Sequence, residues 1–200
     1  MFFPIPPCNF AGKSITAYWE DFLTEEDIQV LLNQPSWDKT EEGGVGNKTD
    51  GHVVNFDVRR TKVGWLEPNV ETQQVWNKIT DVVSEVNRQF FHFDLTGCYE
   101  PMQLACYTAK EKSHYTWHAD ATFSDRGAPR KLSMALLLTD PSEFEGGELQ
   151  VMTSGGTPEV LELKKGRAWF MPSFTLHRVT PVTKGVRKSA VLWVGGPAFK

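Results

Sequence analysis

The sequence predicts a mixed α and β fold in one domain, with helices flanking a single antiparallel barrel or jelly roll. Two patterns predict it. Apolar residues spaced by three and four are concentrated in the first hundred residues, and from residue 100 onward the apolar runs shorten and are separated by turn clusters. Size agrees with both: 200 residues, 40% of them apolar and 23% charged, suit one core that buries roughly 70% of the unfolded chain's surface. Such a core needs no disulfide or metal to staple it, so a metal here would be functional.

Residues 1–14 read as an N-terminal arm that precedes a domain over 15–200, with helical support over 15–100 and a β-barrel core over 101–195. Thr24 and Asp27 form a capping pair, and Ile28, Val30, Leu31 and Leu32 supply the apolar face of a short helix that Pro35 stops. Glu71 to Phe90 places Val75, Ile79, Val82, Val83 and Val86 on one face of a longer amphipathic helix. Between them Glu41 to Gly51 is polar and glycine-rich, a mobile loop by composition that serves either as a connector or as a lid. Eight short strands follow, at Met102–Tyr107, His114–Trp117, Lys131–Leu138, Gly147–Met152, Val160–Leu163, Ala168–Met171, His177–Thr180 and Ser189–Val194. Glu145-Gly146-Gly147-Glu148 and Lys164-Lys165-Gly166-Arg167 are expected to be hairpin corners, because glycine supplies the positive φ of a tight turn.

Charge excludes some partners. A net charge of −4 gives no overall attraction to nucleic acid or to an anionic membrane, which points to a peptide, protein or small-molecule partner. Oligomeric state is not legible. Three cysteines (Cys8, Cys98, Cys106) without a C-x-x-C pair argue against a disulfide framework and a cysteine zinc site, and suit a reducing cytoplasm. The first residues lack a basic segment and are broken by prolines, so neither a signal nor an anchor is expected.

Several motifs fail. Gly12-Lys13-Ser14 lacks the upstream glycine and strand of a phosphate loop, and neither G-x-S-x-G nor H-E-x-x-H occurs. Catalysis must then come from the five histidines. Two of them begin H-x-D triplets, His92-Phe93-Asp94 and His118-Ala119-Asp120. Residues two apart on a strand share a face, so either triplet can offer an imidazole and a carboxylate to one metal. Only the second is followed by a further strand histidine, His177, and by a basic residue ten positions on, Arg187. His92, His52 and His114 are expected to have no metal role. Two neutral imidazoles and one carboxylate fill one face of Fe(II) and leave positions open for a 2-oxo acid and dioxygen, with a planar arginine to pair the acid's distant carboxylate. Lys188 is expected to point away from Arg187.

The chain resembles the 2-oxoglutarate- and Fe(II)-dependent oxygenases of the prolyl 4-hydroxylase-like branch over roughly residues 55–195. The likeness rests on Gln103-Leu104-Ala105-Cys106-Tyr107, Tyr115-Thr116-Trp117-His118-Ala119-Asp120, Arg130-Lys131-Leu132-Ser133, Glu145-Gly146-Gly147-Glu148-Leu149, the run His177 to Arg187, and Trp193. It implies a distorted double-stranded β-helix (jelly roll) flanked by N-terminal helices, with His118, Asp120 and His177 holding iron. It also implies that Arg187 pairs the C5 carboxylate of 2-oxoglutarate, that Tyr107 hydrogen-bonds it, and that Tyr115, Arg130 and Trp193 line the substrate side. The implied cofactors are Fe(II), with 2-oxoglutarate and O2 as cosubstrates and ascorbate as a candidate reductant. The implied reaction is hydroxylation of an unactivated C–H bond, foremost in a prolyl residue of a peptide or protein. Two departures stand out: arginine at 187 where many relatives carry lysine, and Thr108 to His114 in place of the usual glycine-glutamine. A cupin-like oxygenase that uses the same ligands without a 2-oxo acid, and an inactive binding module, remain as alternatives.

Overall fold

The computed structural model describes residues 15–45, 53–122 and 128–198. The expected arm over 1–14 lies outside these residues, as do His52 and residues 46–51 of the glycine-rich loop. In chain order the elements are β1 (Ala17–Trp19), α1 (Glu25–Leu32), β2 (Glu41–Glu42), β3 (Arg59–Arg60), β4 (Lys62–Leu66), α2 (Gln73–Val86), β5 (Met102–Thr108) and β6 (His114–His118). They continue with β7 (Arg130–Leu137), β8 (Phe144–Gly146), β9 (Leu149–Met152), β10 (Pro158–Leu161), β11 (Ala168–Pro172), β12 (His177–Val179) and β13 (Val182–Gly195). Mostly β structure with two helices is thus the architecture.

A large sheet runs β1-β11-β7-β13-β5-β4-β2, with β8 added to β13, and a smaller sheet runs β10-β9-β12-β6-β3. The two share an apolar interior that includes Ala105, Tyr107, Met171 and Val182 from the large sheet and Leu149, Val151, Leu161 and Val179 from the small one. The large sheet's other face carries Met102, Leu104, Leu132, Met134, Leu136 and Leu192, and both helices pack on it. Alternation along the strands therefore sorts residues between a helix-covered side and the side facing the small sheet. On β13, Ala190, Leu192 and Val194 join the helical core, so Arg187, Ser189 and Trp193 are directed to the interior side.

Local chemistry explains the helices. Thr24 caps α1 in a reciprocal capping box: its hydroxyl accepts from the Asp27 amide, and the Asp27 carboxylate accepts from the Thr24 amide. Burial of Ile28 and Leu31 seats this helix, each contributing about 1.5–3 kcal/mol. α2 buries Val75, Trp76, Ile79, Val82, Val83 and Val86, and then widens into a π turn over Asn87–Phe91 that ends at His92 with φ 54°.

Several expectations need correction. Glu41 and Glu42 are not loop but a strand against β4, because cross-strand pairing with Lys62 and Val63 overrides their polar composition. Both glycine corners have the expected positive φ, at Gly146, Gly147 and Gly166. Neither closes a hairpin, since β8 pairs with β13 while β9 pairs with β10 and β12, and β10 and β11 belong to different sheets. The turns carry the chain from one sheet to the other. The last strand begins at Val182 instead of Ser189.

Candidate active site

His118 ends β6 and His177 begins β12, and the antiparallel pairing of these strands sets the two residues directly opposite each other. Asp120 lies just past the end of β6, so the H-x-D triplet straddles the strand end instead of lying within it. His118 Nε2 is 3.8 Å from Asp120 Oδ1, and His177 Nε2 is 3.5 Å from Asp120 Oδ2. The three ligand atoms all lie within 4.8 Å of one another. His92 and His114 do not belong to this group.

Backbone carbonyls fix both histidine rings. His118 Nδ1 donates to the Thr116 carbonyl at 2.8 Å and His177 Nδ1 donates to the Thr175 carbonyl at 2.9 Å. A carbonyl only accepts, so each Nδ1 carries a proton and Nε2 is the nitrogen each ring turns toward Asp120. Burial, reinforced by the neighbouring His177, pushes His118 down to about 3, which keeps its imidazole neutral. Burial alone would raise the Asp120 carboxyl. The two imidazoles, the Ser133 hydroxyl and the Trp193 indole outweigh it and hold Asp120 below the usual carboxylate range. The indole favours the charge without completing a geometric hydrogen bond. Two imidazole nitrogens and one carboxylate clustered in this way match the donor set of a facial Fe(II) site.

Arg187 is 2% exposed on the interior side of β13, opposite Tyr107 of β5. Its Nη1 donates to Ser189 Oγ at 3.0 Å, its Nε has no acceptor, and its guanidinium lies 5.3 Å from the centroid of the buried Tyr107 ring. Burial lowers its pKa. No carboxylate among the described residues pairs with it. Gly147 makes room for this side chain: a Cβ there would sit 2.9 Å from Arg187 Cδ. Lys188 faces the other way, with its ammonium 4.6 Å from the Trp37 ring.

Tyr115 stacks on His118, with ring centroids 3.4 Å apart and planes at 13°. Residues three apart on a regular strand face opposite sides. The irregular register between Tyr115 and His118 is what turns them together. Trp193 pairs with Ser133 across β13 and β7, and the Arg130 guanidinium lies 3.6 Å over its ring. Arg130 also makes a bidentate pair with Glu100, both contacts at 2.6 Å, and reaches the Asp120 carbonyl at 3.4 Å.

Sequence reasoning missed Glu100, Ser133, Ser189 and Arg59 as members of this assembly. It also passed over a readable signal, the Thr-x-His pattern at Thr116 to His118 and Thr175 to His177 that supplies both orienting carbonyls.

Comparison with known proteins places this geometry among relatives. The sequence model of the 2OG-Fe(II) oxygenase superfamily matches residues 102–195. A PKHD-type hydroxylase of Colwellia psychrerythraea is 49% identical over 150 residues, covering 70% of this chain and 67% of the relative. A PKHD-type hydroxylase of Xylella fastidiosa is 35% identical over 131 residues, covering 61% of this chain and 55% of the relative. One from Synechococcus sp. strain CC9605 is 41% identical over 80 residues, covering 40% and 36%. The chain thus spans from about a third to two thirds of the length of these relatives. Among solved structures, a Pseudomonas putida prolyl-4-hydroxylase superposes with a TM-score of 0.69 at 17% identity, covering 93% of this chain and 95% of that one. A Trichoplax adhaerens prolyl hydroxylase in complex with a hypoxia inducible factor peptide gives 0.74 at 18%, covering 92% and 84%.

Proposed function

Because the chain belongs to the 2-oxoglutarate- and Fe(II)-dependent oxygenase superfamily, we propose that it hydroxylates an unactivated C–H bond, foremost of a prolyl residue in a peptide or protein, using 2-oxoglutarate and O2. The observation that carries the cosubstrate half is Arg187, a buried guanidinium on the interior side of β13 with no carboxylate partner among the described residues. Desolvating such a cation is costly unless an anion compensates it, and a dicarboxylic cosubstrate brings one.

His118, Asp120 and His177 would hold Fe(II), which when bound supplies the redox chemistry that couples 2-oxoglutarate and O2 consumption to formation of succinate, CO2 and a hydroxylated product. The remaining work belongs to the chain's own groups. The Thr116 and Thr175 carbonyls fix both imidazoles. Arg187 would pair the C5 carboxylate in its planar fork, with Tyr107 as the added hydrogen-bond donor. The apolar interior of Leu149, Val151, Met171 and Val179 excludes water from that end. Tyr115, Arg130 and Trp193 would form the substrate side. The layering suits a distorted double-stranded β-helix, the free thiols Cys98 and Cys106 suit the cytoplasm, and ascorbate would act as a reductant for the iron.

Anaerobic titration of the metal-free protein with Fe(II) and then 2-oxoglutarate tests this reading. A visible charge-transfer band is expected in wild type, lost in His177→Ala and requiring far more 2-oxoglutarate in Arg187→Ala. Bound iron without a band would favour a cupin-like oxygenase, and no bound iron a binding module.

A further inference from the structure

Arg187 has a counterpart. Arg59 of β3 is 7% exposed, and among the described residues only two of its five N–H groups find acceptors, both neutral. Nη2 donates to Gln103 Oε1 at 2.7 Å, Nη1 reaches the Gly44 carbonyl at 3.4 Å, and Nε has no acceptor. No acidic group among the described residues forms an ion pair with it. The Gly43 backbone covers the Nε edge so closely that a Cβ there would lie 2.6 Å from Nε, which leaves the Nη edge for a ligand.

The position of Arg59 ties it to the reaction centre. Its guanidinium lies 4.6 Å over the Tyr115 ring, and Tyr115 is stacked in turn on the metal-ligating His118. Its partner Gln103 pairs across β5 and β4 with Trp65, which is 39% exposed and tilted 6.3 Å from Trp193. A cation, an amide and an aromatic wall therefore meet beside the triad. Arg130, also on this side, is neutralised by Glu100, whereas Arg59 has no such partner among the described residues.

Building on the function proposed above, we infer that the substrate itself presents a carboxylate to Arg59, with its apolar body against Trp65 and Trp193. Neutral carbonyls of a peptide backbone would leave the charge uncompensated, since Gln103 and Gly44 already contribute acceptors of that kind. A carboxylate matches the planar fork and balances the charge. It comes from one of two sources: the terminus of a free or C-terminal prolyl residue, or an acidic side chain next to an internal one.

The test compares three probes on the Fe(II)-loaded protein with 2-oxoglutarate: acetyl-Ala-Ala-Pro with a free carboxylate, the same peptide amidated, and amidated acetyl-Ala-Glu-Pro-Ala. Succinate release gives KM, and anaerobic calorimetry gives binding without turnover. Wild type is expected to prefer one carboxylate probe over the amidated neutral peptide at least tenfold, and which one identifies the source. Arg59→Gln should erase the preference, Arg59→Lys should keep part of it, and both should retain the wild-type 2-oxoglutarate titration. Equal use of all three probes by wild type, a preference that survives Arg59→Gln, or no binding of either carboxylate probe overturns the inference. If the charge-transfer band itself never forms, the cofactor reading fails separately, and calorimetry on the Zn(II)-loaded protein still measures the carboxylate preference.

Discussion

Replacing Gly147 with alanine should damage cosubstrate binding through a route the structure specifies. Gly147 has φ +62°, and an added Cβ would lie 2.9 Å from Arg187 Cδ and 3.0 Å from Val182 Cγ2. A non-glycine residue in the left-handed region costs about 1–2 kcal/mol, which for a domain of this size lowers Tm by about 2–8 °C. The second effect is local. Arg187 is enclosed, so its methylene can yield only by moving the guanidinium off its fork geometry. If Arg187 pairs the C5 carboxylate as proposed, loss of one charge-assisted hydrogen bond, about 1.5–3 kcal/mol, weakens 2-oxoglutarate binding roughly 10- to 100-fold. Gly156 supplies the control, because it has φ +74° with nothing within 4 Å of its would-be Cβ. Gly156→Ala therefore carries backbone strain without crowding. Band titration with 2-oxoglutarate and calorimetric Tm on both variants separate the effects. If Gly147→Ala and Gly156→Ala bind 2-oxoglutarate alike, Arg187 is not the cosubstrate arginine or does not depend on this packing.

Other outcomes follow from the same geometry. Anaerobic Fe(II) at a hundred times its Kd should stabilise wild type by about 2.7 kcal/mol, seen as a higher Tm, and His177→Ala should abolish that rise. Thr24→Ala removes the α1 cap at a cost of about 1 kcal/mol, so Tm should fall by about 2–4 °C, whereas Thr24→Ser should recover most of it. Burial pushes the Cys98 thiol up to about 11, so its thiolate is scarce at pH 7.5 and iodoacetamide should label it at least about a hundredfold more slowly than a free thiol. That labelling should accelerate about tenfold per pH unit on the way up, and rapid stoichiometric labelling by mass spectrometry would contradict the burial. Glu100→Gln should release Arg130 from Trp193 and raise substrate KM while the Fe(II)–2-oxoglutarate band persists; loss of the band would mean that Glu100 supports the iron site itself.

What the sequence made legible was whatever depends on near neighbours. The Thr24–Asp27 cap and the apolar stripe from Val75 to Val86 are local, and both helices form where those residues place them. The strand histidines were legible because metal chemistry restricts which residue types can share a centre. Elements created by pairing were not. Arg59–Arg60 and Glu41–Glu42 are two-residue strands of charged side chains, and only β6 and β4 across from them make them strands. The first half of β13 looks polar because it faces β8 and solvent, so its pattern hides a strand that the pairing of Val186 with Thr108 and Arg187 with Tyr107 reveals. Arg59 escaped notice for the same reason: nothing in its own segment indicates that Gly43, Gln103 and Tyr115 will close around it.

The division of labour between the two sheets follows from register. The small sheet contributes the imidazoles, because β6 and β12 are adjacent and His118 is paired with His177. The large sheet contributes the Arg187 cation and its supports, because Arg187, Ser189 and Trp193 alternate along one side of β13 while Tyr107 and Ser133 meet them from β5 and β7. A one-residue slip of β13 would exchange the interior side for the helical one, turning Lys188 into the interior and Arg187 toward Trp37. The long pairings of β13 with both β5 and β7 oppose that slip. Ser189→Val leaves the pairing intact but removes the hydroxyl that accepts from Arg187, and should therefore weaken 2-oxoglutarate binding while sparing Fe(II). An equal loss of both would show that β13 positions the metal as well as the cosubstrate.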